Sequence, residues 1–555
     1  MRQSKRPLAL LLALLLTLGL VPALAEEKPP LERYAEFATP HSVKITYFEQ
    51  GWTGPEADLD VVAPELAKRT NLTLLYEPMS TPTGDDYTQK LNLMVAANEV
   101  PEVFFGGNDA YTRVIYEKLG EAGLLWDIGT IVKDYPQLYE LVYPELQLFQ
   151  NEKGQNYFLP TQTGRGYENL HEPPHGLFLR QDLLDQLGME TPKTPDEFYT
   201  YLKRAREELK VNDQKVTGLL LGENLGGIQE IYEMFIPLVG QHETYGFPFD
   251  SQEGYAVKNY QYTNSPEIMQ AAKFVHKLVS EGLVDREALI IKQAQYQEKA
   301  TLGLSAAMTS NWWDANAFTD ASVVDIPDLE WFTPTKIYVD EATRASRNRP
   351  WTDWVGCWSS LIFSKTVPEE TLRHLLAVLD YMAGEEGQLL VQAGIEGVTY
   401  QWNELGTYEF LPEFIEKTNN LDWNKAAAYG VFYYAQLVNN TPVIFPLQAT
   451  PPALTRPDNF KSWENQQDRR DAYDKHMEPP LDYYFLPGPV ENEKLPAIKD
   501  ATVEFWAKVV GAQSEQEVEN IVNEWGATTK SLGIDDIVAE REAFMAKLKE
   551  ERGIK

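Results

Sequence analysis

Val43-Lys-Ile-Thr-Tyr-Phe48 alternates apolar and polar side chains for most of its length, then runs into the loop Glu49-Gln-Gly-Trp52. That two-residue period is the signature of a half-buried strand. Working outward, Leu59 to Arg69 has helical spacing and Leu72 to Tyr76 reads as a second strand. Tyr87, Leu91, Met94 and Val95 fall on one helical face, and Pro101-Glu-Val-Phe-Phe-Gly-Gly107 is a third strand ending in a glycine turn. Strand, helix, strand, helix, strand predicts an α/β fold with a largely parallel sheet covered by helices. Ligands of such sheets gather beyond the carboxyl ends of the strands. Glu49, Trp52, Asn108 and Asp109 are therefore candidate ligand contacts.

A second α/β unit begins near residue 165. Asn156-Tyr-Phe-Leu-Pro160 and Leu177-Phe-Leu-Arg180 read as strands, and Asp182 to Leu187 is a short helix stopped by Gly188. Thr194-Pro-Asp-Glu197 is a capping box with proline at the first helical position. Leu302-Gly-Leu-Ser-Ala-Ala-Met-Thr-Ser-Asn-Trp-Trp-Asp314 starts as a buried strand and ends by delivering two indoles among polar groups. Asn311, Trp312, Trp313 and Asp314 join the candidates. Trp354, in a segment with Trp351 and Trp358 that ends as a strand at Phe363, completes an aromatic wall with Trp52. Indole faces pack on the C–H faces of sugar rings while planar polar groups take the hydroxyls. For each tryptophan the other reading, packing inside a core, stays open; Trp126, Trp506 and Trp525 sit in helical patterns and read as structural. Arg347 and Arg349, near Arg344, offer bidentate partners for an acidic sugar, against the duller reading of a solvated loop. Residues 400–500, rich in aromatics, proline and asparagine, yield no assignment. Ser514 to Glu551 reads as helix broken at Gly533.

Composition narrows the function classes. Residues 1–25 have a basic start (Arg2, Lys5, Arg6), an apolar run from Leu8 to Leu20, and Ala23-Leu-Ala25, the pattern of a signal peptide cleaved after Ala25. Removing its three basic residues takes the net charge from −34 to −37. Such a charge argues against nucleic acid and anionic membranes as partners. The sole cysteine, Cys357, excludes an internal disulfide and is far from the cleavage site, so no lipid-bearing cysteine is expected there. Of the seven histidines, His171 and His175 are four apart, but Pro173 and Pro174 between them bar a helical metal face. No metalloprotease pair, nucleophile elbow, P-loop or dinucleotide fingerprint is present. Paired carboxylates of a glycosidase are not excluded by spacing among 83 acidic residues.

Several segments in series resemble the extracellular solute-binding proteins of the maltose-binding type, receptors of ABC importers, and within them the LipO-like branch. They are Leu91-Asn-Leu-Met-Val-Ala-Ala-Asn-Glu-Val-Pro-Glu102, Gly154 to Pro160, Leu179-Arg-Gln-Asp-Leu-Leu-Asp-Gln-Leu-Gly188, Thr194 to Phe198, Leu278 to Leu283, Gly303 to Trp312, Glu385-Glu-Gly387 and Gly394 to Tyr400. The resemblance implies a two-lobed periplasmic-binding-protein fold of type II, with discontinuous lobes joined by a hinge. Residues 26–40, rich in proline and glutamate, read as a flexible lead-in; the resemblance implies first-lobe residues at 41–165 and second-lobe residues at 166–298. A first-lobe return at 299–350 and the rest of the second lobe at 351–555 follow. It also favours Trp312 as the cleft residue, with Trp313 as its support. The branch often carries a calcium loop after the capped helix; here Val211-Asn-Asp-Gln-Lys-Val-Thr-Gly218 has too few oxygen ligands, so neither metal nor cofactor is expected. The implied role is the capture of an oligosaccharide outside the cell by a monomeric receptor that hands it to membrane permeases. The same scaffold binding a peptide or another solute, a sensor-kinase co-receptor, and a secreted carbohydrate-active enzyme remain as alternatives.

Overall fold

The computed structural model describes residues 29–553 except 50–52, 81–83, 98, 108–109, 152, 164–174, 223–226, 237–246, 248, 251–255, 285, 312–317, 319–325, 327–328, 330, 333–336, 341, 344–356, 420 and 448–484. The chain opens with β1 (His41–Glu49), α1 (Val62–Thr70), β2 (Leu72–Ser80), α2 (Gly84–Ala97), β3 (Val103–Gly107), α3 (Ala110–Glu121), α4 (Pro136–Leu148) and β4 (Leu159–Thr163). Next come β5 (His175–Arg180), α5 (Pro195–Glu208), β6 (Thr217–Leu220), α6 (Pro266–Ser280), α7 (Gln293–Thr301), β7 (Ser305–Asn311) and β8 (Trp331–Phe332). After β9 (Cys357–Phe363) the chain is mostly helical, with α8 (Glu369–Ala383), α9 (Glu385–Ala393), α10 (Pro489–Gly511), α11 (Glu515–Ser531) and α12 (Ile534–Arg552).

These strands form two main sheets, ordered β2-β1-β3-β9-β4 and β8-β5-β7-β6. In the first, β1 pairs in parallel with β2 and β3, while β9 runs antiparallel between β3 and β4. Strand parity sends alternate side chains to opposite cores. Val43, Ile45, Tyr47, Val103, Phe105, Leu361 and Phe363 enter one cluster, and Phe48, Phe104 and Ile362 enter the other. In the second sheet Leu177, Leu179, Leu219 and Ala307 face α5, α6 and the C-terminal helices, whereas Phe178, Leu220 and Met308 pack against Trp331 and Tyr296. The Thr194–Glu197 capping box is formed, with Phe198, Tyr201, Leu202 and Ala205 buried behind it.

The expected order of crossings needs correcting. β7 pairs with β5 and β6, so the segment expected to return to the first lobe is instead a central strand of the second. The return is made by β9, which was expected in the second lobe. Leu361, Ile362 and Phe363 are fully buried and need a sheet covered on both faces, which the gap between β3 and β4 provides. Residues up to Leu447 then stay with the first lobe, and α10, α11 and α12 complete the second. Pro496 inside α10 reads as a helix stop in the sequence, and tertiary packing of Leu495 and Ile498 overrides it.

α8 lies across the first lobe with nearly every residue buried, His374 among them. Its Nε2 is 2.8 Å from the Thr70 carbonyl, which only accepts, so Nε2 carries the proton. Nδ1 of the neutral ring then accepts from His41 Nδ1 at 2.8 Å, and His41 Nε2 faces Glu370 at 3.6 Å. Burial pushes the His374 pKa below its ordinary value; His41 lowers it further, while the Thr70 carbonyl, Glu36 and Glu370 oppose. A depressed histidine gives stability that is held above about pH 6.5 and lost as pH falls through the depressed value. Melting temperature should therefore fall as pH is lowered from about 6.5, and His374→Gln should be less stable at neutral pH but show a flatter decline. Parallel pH profiles for the two proteins would contradict this assignment.

Candidate functional site

The register of the first sheet brings several strand ends to one edge. Glu49 pairs with Ser80, Gly107 with Ser359, and Cys357 with Thr163. The carboxyl ends of β1, β2, β3 and β4 and the start of β9 thus share an edge, the side chosen from the sequence. Glu49 closes β1 there. Trp52, Asn108, Asp109 and Trp354, which continue from or lead into these strands, lie outside the described residues, as do Arg347 and Arg349. In the second sheet Asn311 pairs with His175, so β7 ends where β5 begins; Trp312, Trp313 and Asp314 follow it outside the described residues. The candidates therefore attach to two strand edges, one in each lobe.

What the structure adds is the packing that fixes those edges. The Tyr116 hydroxyl donates to the Gly107 carbonyl at 2.7 Å and meets the Tyr87 hydroxyl at 2.5 Å. Gly106 makes room for that arrangement, since a Cβ there would run into the Tyr87 ring. At the other edge Tyr296 donates to the Thr309 carbonyl at 2.6 Å. Gly227, at φ +83, packs where a Cβ would strike the Thr309 side chain. The Ser310 hydroxyl, next to Asn311, is buried without a hydrogen-bond partner among the described residues. None of these supports was singled out in the sequence, where Tyr87 read only as one residue of a helical face.

The first turn of α3, directly after Asp109, reaches into the second lobe. Ala110 packs with Phe249, Phe485, Met545 and Leu548, and Arg113 donates to the Phe485 carbonyl at 3.3 Å. The Tyr111 hydroxyl donates to Glu491 of α10. Glu491 is itself held by Arg541 of α12 through Nε to Oε2 at 2.7 Å and Nη2 to Oε1 at 2.5 Å, and both side chains are fully buried. The Arg541 guanidinium also lies over the Phe485 and Phe247 rings, at 4.1 and 4.6 Å from their centroids.

Val211–Gly218, weighed in the sequence as the place for a calcium loop, opens with a two-residue hairpin turn. Val211 pairs with Gln214 across Asn212 and Asp213, at φ 49° and 63°, so both residues serve the left-handed turn. Among the described residues no group of three or more potential metal-ligating acidic, histidine or cysteine side chains converges.

Two α/β sheets, each completed by distant parts of the chain, define the two-lobed class of periplasmic binding proteins. Over residues 55–323 the chain matches the profile of the bacterial extracellular solute-binding proteins. It is similar to the polygalacturonan/rhamnogalacturonan-binding protein YtcQ of Bacillus subtilis, at 26% identity over 356 residues, covering 63% of this chain and 65% of YtcQ. To lipoprotein LipO of the same organism it is 22% identical, over 57% of this chain and 59% of LipO. In sequence the chain thus spans less than two thirds of either relative. A solved structure of the Streptococcus pneumoniae ABC-transporter substrate-binding protein FusA with kestose superposes at a TM-score of 0.62, with 13% identity, covering 92% of this chain and all of FusA. The family and these neighbours are binding proteins rather than enzymes.

The buried Glu491–Arg541 pair carries a stability expectation. Glu491→Ala leaves Arg541 buried and unpaired and should cost about 3–5 kcal/mol in chemical denaturation. Tyr111→Phe removes one hydroxyl and should cost about 1–2 kcal/mol. Equal losses for the two variants would show that the ion pair is not what holds this junction.

Proposed function

We propose that this protein captures an oligosaccharide outside the cell and delivers it to ABC permease subunits, performing no chemistry on it. The observation that carries this reading is the attachment of the tryptophan-bearing segments to strand edges in both lobes of a solute-binding fold. A ligand gripped by Trp52 and Trp354 from one side and by Trp312 from the other favours the closed arrangement over the open one. Asn108, Asp109, Asn311 and Asp314, with Glu49 and the buried hydroxyl of Ser310, supply hydroxyl partners. The chain acts as an exported monomer after loss of residues 1–25.

YtcQ, by its name a binder of acidic pectin chains, favours one variant of this reading. In it Arg347 and Arg349 clamp a uronate carboxylate.

A thermal-shift series with neutral fructo-oligosaccharides and acidic oligogalacturonides tests both. A lobe-bridging ligand raises the melting temperature by mass action. Silence toward every glycan, with a response to peptides, would replace the sugar with another solute. Product release from a glycan would make the protein an enzyme. Adjacent residues of an extended segment point to opposite sides. Trp312→Ala should therefore weaken binding by about ten- to a hundredfold with little change in stability, and Trp313→Ala should do the reverse. If both variants lose only stability, the indole platform is wrong.

A further inference from the structure

Among the described residues the exposed tryptophans are Trp402 and Trp423, and only Trp423 adjoins the strand-end edge of the first lobe. The Thr53 N–H, one residue beyond Trp52, donates to Asn424 Oδ1 at 3.0 Å. The Glu56 N–H donates to the Ala428 carbonyl at 3.0 Å. The loop that follows β1 is thereby clamped onto the short helix Trp423–Ala428. Trp423 is 40% exposed, yet it is held in place. Its ring stacks on Phe432 at 6.0 Å and 14°. Phe432 has φ +66°, a strained value for a bulky residue. Such strain survives only where surrounding contacts impose it, and it recurs where proteins hold ligands. Here the Phe432 N–H donates to the Val391 carbonyl at 2.9 Å, and its ring meets Phe410 edge-on.

We propose that Trp423, backed by Phe432, is an outer subsite that stacks an additional sugar ring of a long oligosaccharide beside the segment that begins at Thr53. The inference rests on the saccharide reading above and extends it to a chain longer than the central cleft holds. Three observations fit such a subsite: an indole presented to solvent, an aromatic support that prevents its collapse, and planar polar groups at its side. Those groups are Asn424 and Asp422, its sequence neighbours, which also accept from the Thr53 and Lys425 N–H groups, and Glu56, whose N–H holds the same helix; all three are exposed. With Lys425 as the nearby cation, the local balance is acidic, which disfavours a uronate and selects an uncharged ring.

Calorimetry with two ladders of increasing length, neutral fructo-oligosaccharides and acidic oligogalacturonides, tests this on the full protein. For wild type, affinity should rise with length on the neutral ladder beyond the shortest binding member. Trp423→Ala should leave the shortest member's Kd unchanged and weaken the longer neutral ones about tenfold, with an unchanged melting temperature. Trp423→Phe should restore part of the loss. An equal loss at every length, or no loss at any, overturns the subsite while leaving saccharide capture standing. A length effect confined to the acidic ladder overturns the assignment of an uncharged ring. Failure of wild type to bind either ladder removes the saccharide reading and the subsite together.

Discussion

A fully buried carboxylate–guanidinium pair ties the two halves of this molecule. Glu491 and Arg541 come from different helices of the second lobe, and neither reaches water. Stripping both charges of hydration is expensive, and the cost is offset by further partners: Arg541 also donates to the Phe247 carbonyl, and Glu491 also accepts from a tyrosine. One of those partners, the Tyr111 hydroxyl, belongs to the helix that starts directly after Asp109. The carboxylate of Glu540 meanwhile accepts from the Val490 and Glu491 N–H groups and fixes the start of α10. The loop expected to touch ligand is thus anchored at its far end to the C-terminal helices rather than to its own sheet.

The fold was legible wherever burial has a period. β1, α1, β2, α2 and β3 stand close to where alternation and helical spacing put them, because each element exposes one face and buries another. Gly188 at φ +59 and Gly533 at φ +91 end or separate helices as their backbone freedom suggests. What the sequence could not reveal was pairing. Nothing in the composition of Ser305–Asn311 and Cys357–Phe363 says which sheet each joins; that depends on neighbours far away in the sequence. The helix Trp423–Ala428 and the first half of α10 went unseen because proline and dense aromatics hid the period.

The site was legible only as chain position. The rule that ligands gather at carboxyl strand ends selected one edge of the first sheet, and the register aligns Glu49, Gly107 and Cys357 with their partners along it. The supports were hidden for a physical reason. Tyr87, Tyr116, Tyr296 and Gly227 act through single contacts across the fold, and such contacts leave no local pattern. Trp423 was likewise invisible, because its significance comes from Asn424 meeting Thr53 across most of the chain's length.

The position of β9 has a consequence for how the chain acquires its structure. It is an interior strand of the first sheet, yet it is made long after β1, β2, β3 and β4. Until residues 357–363 emerge from the ribosome, β3 and β4 each present an unpaired edge with no strand between them. The first lobe cannot close until that strand has been made, and its long-range pairing makes the search for the native topology slow. A chain left open through so much of its synthesis presents no finished first lobe to a narrow passage.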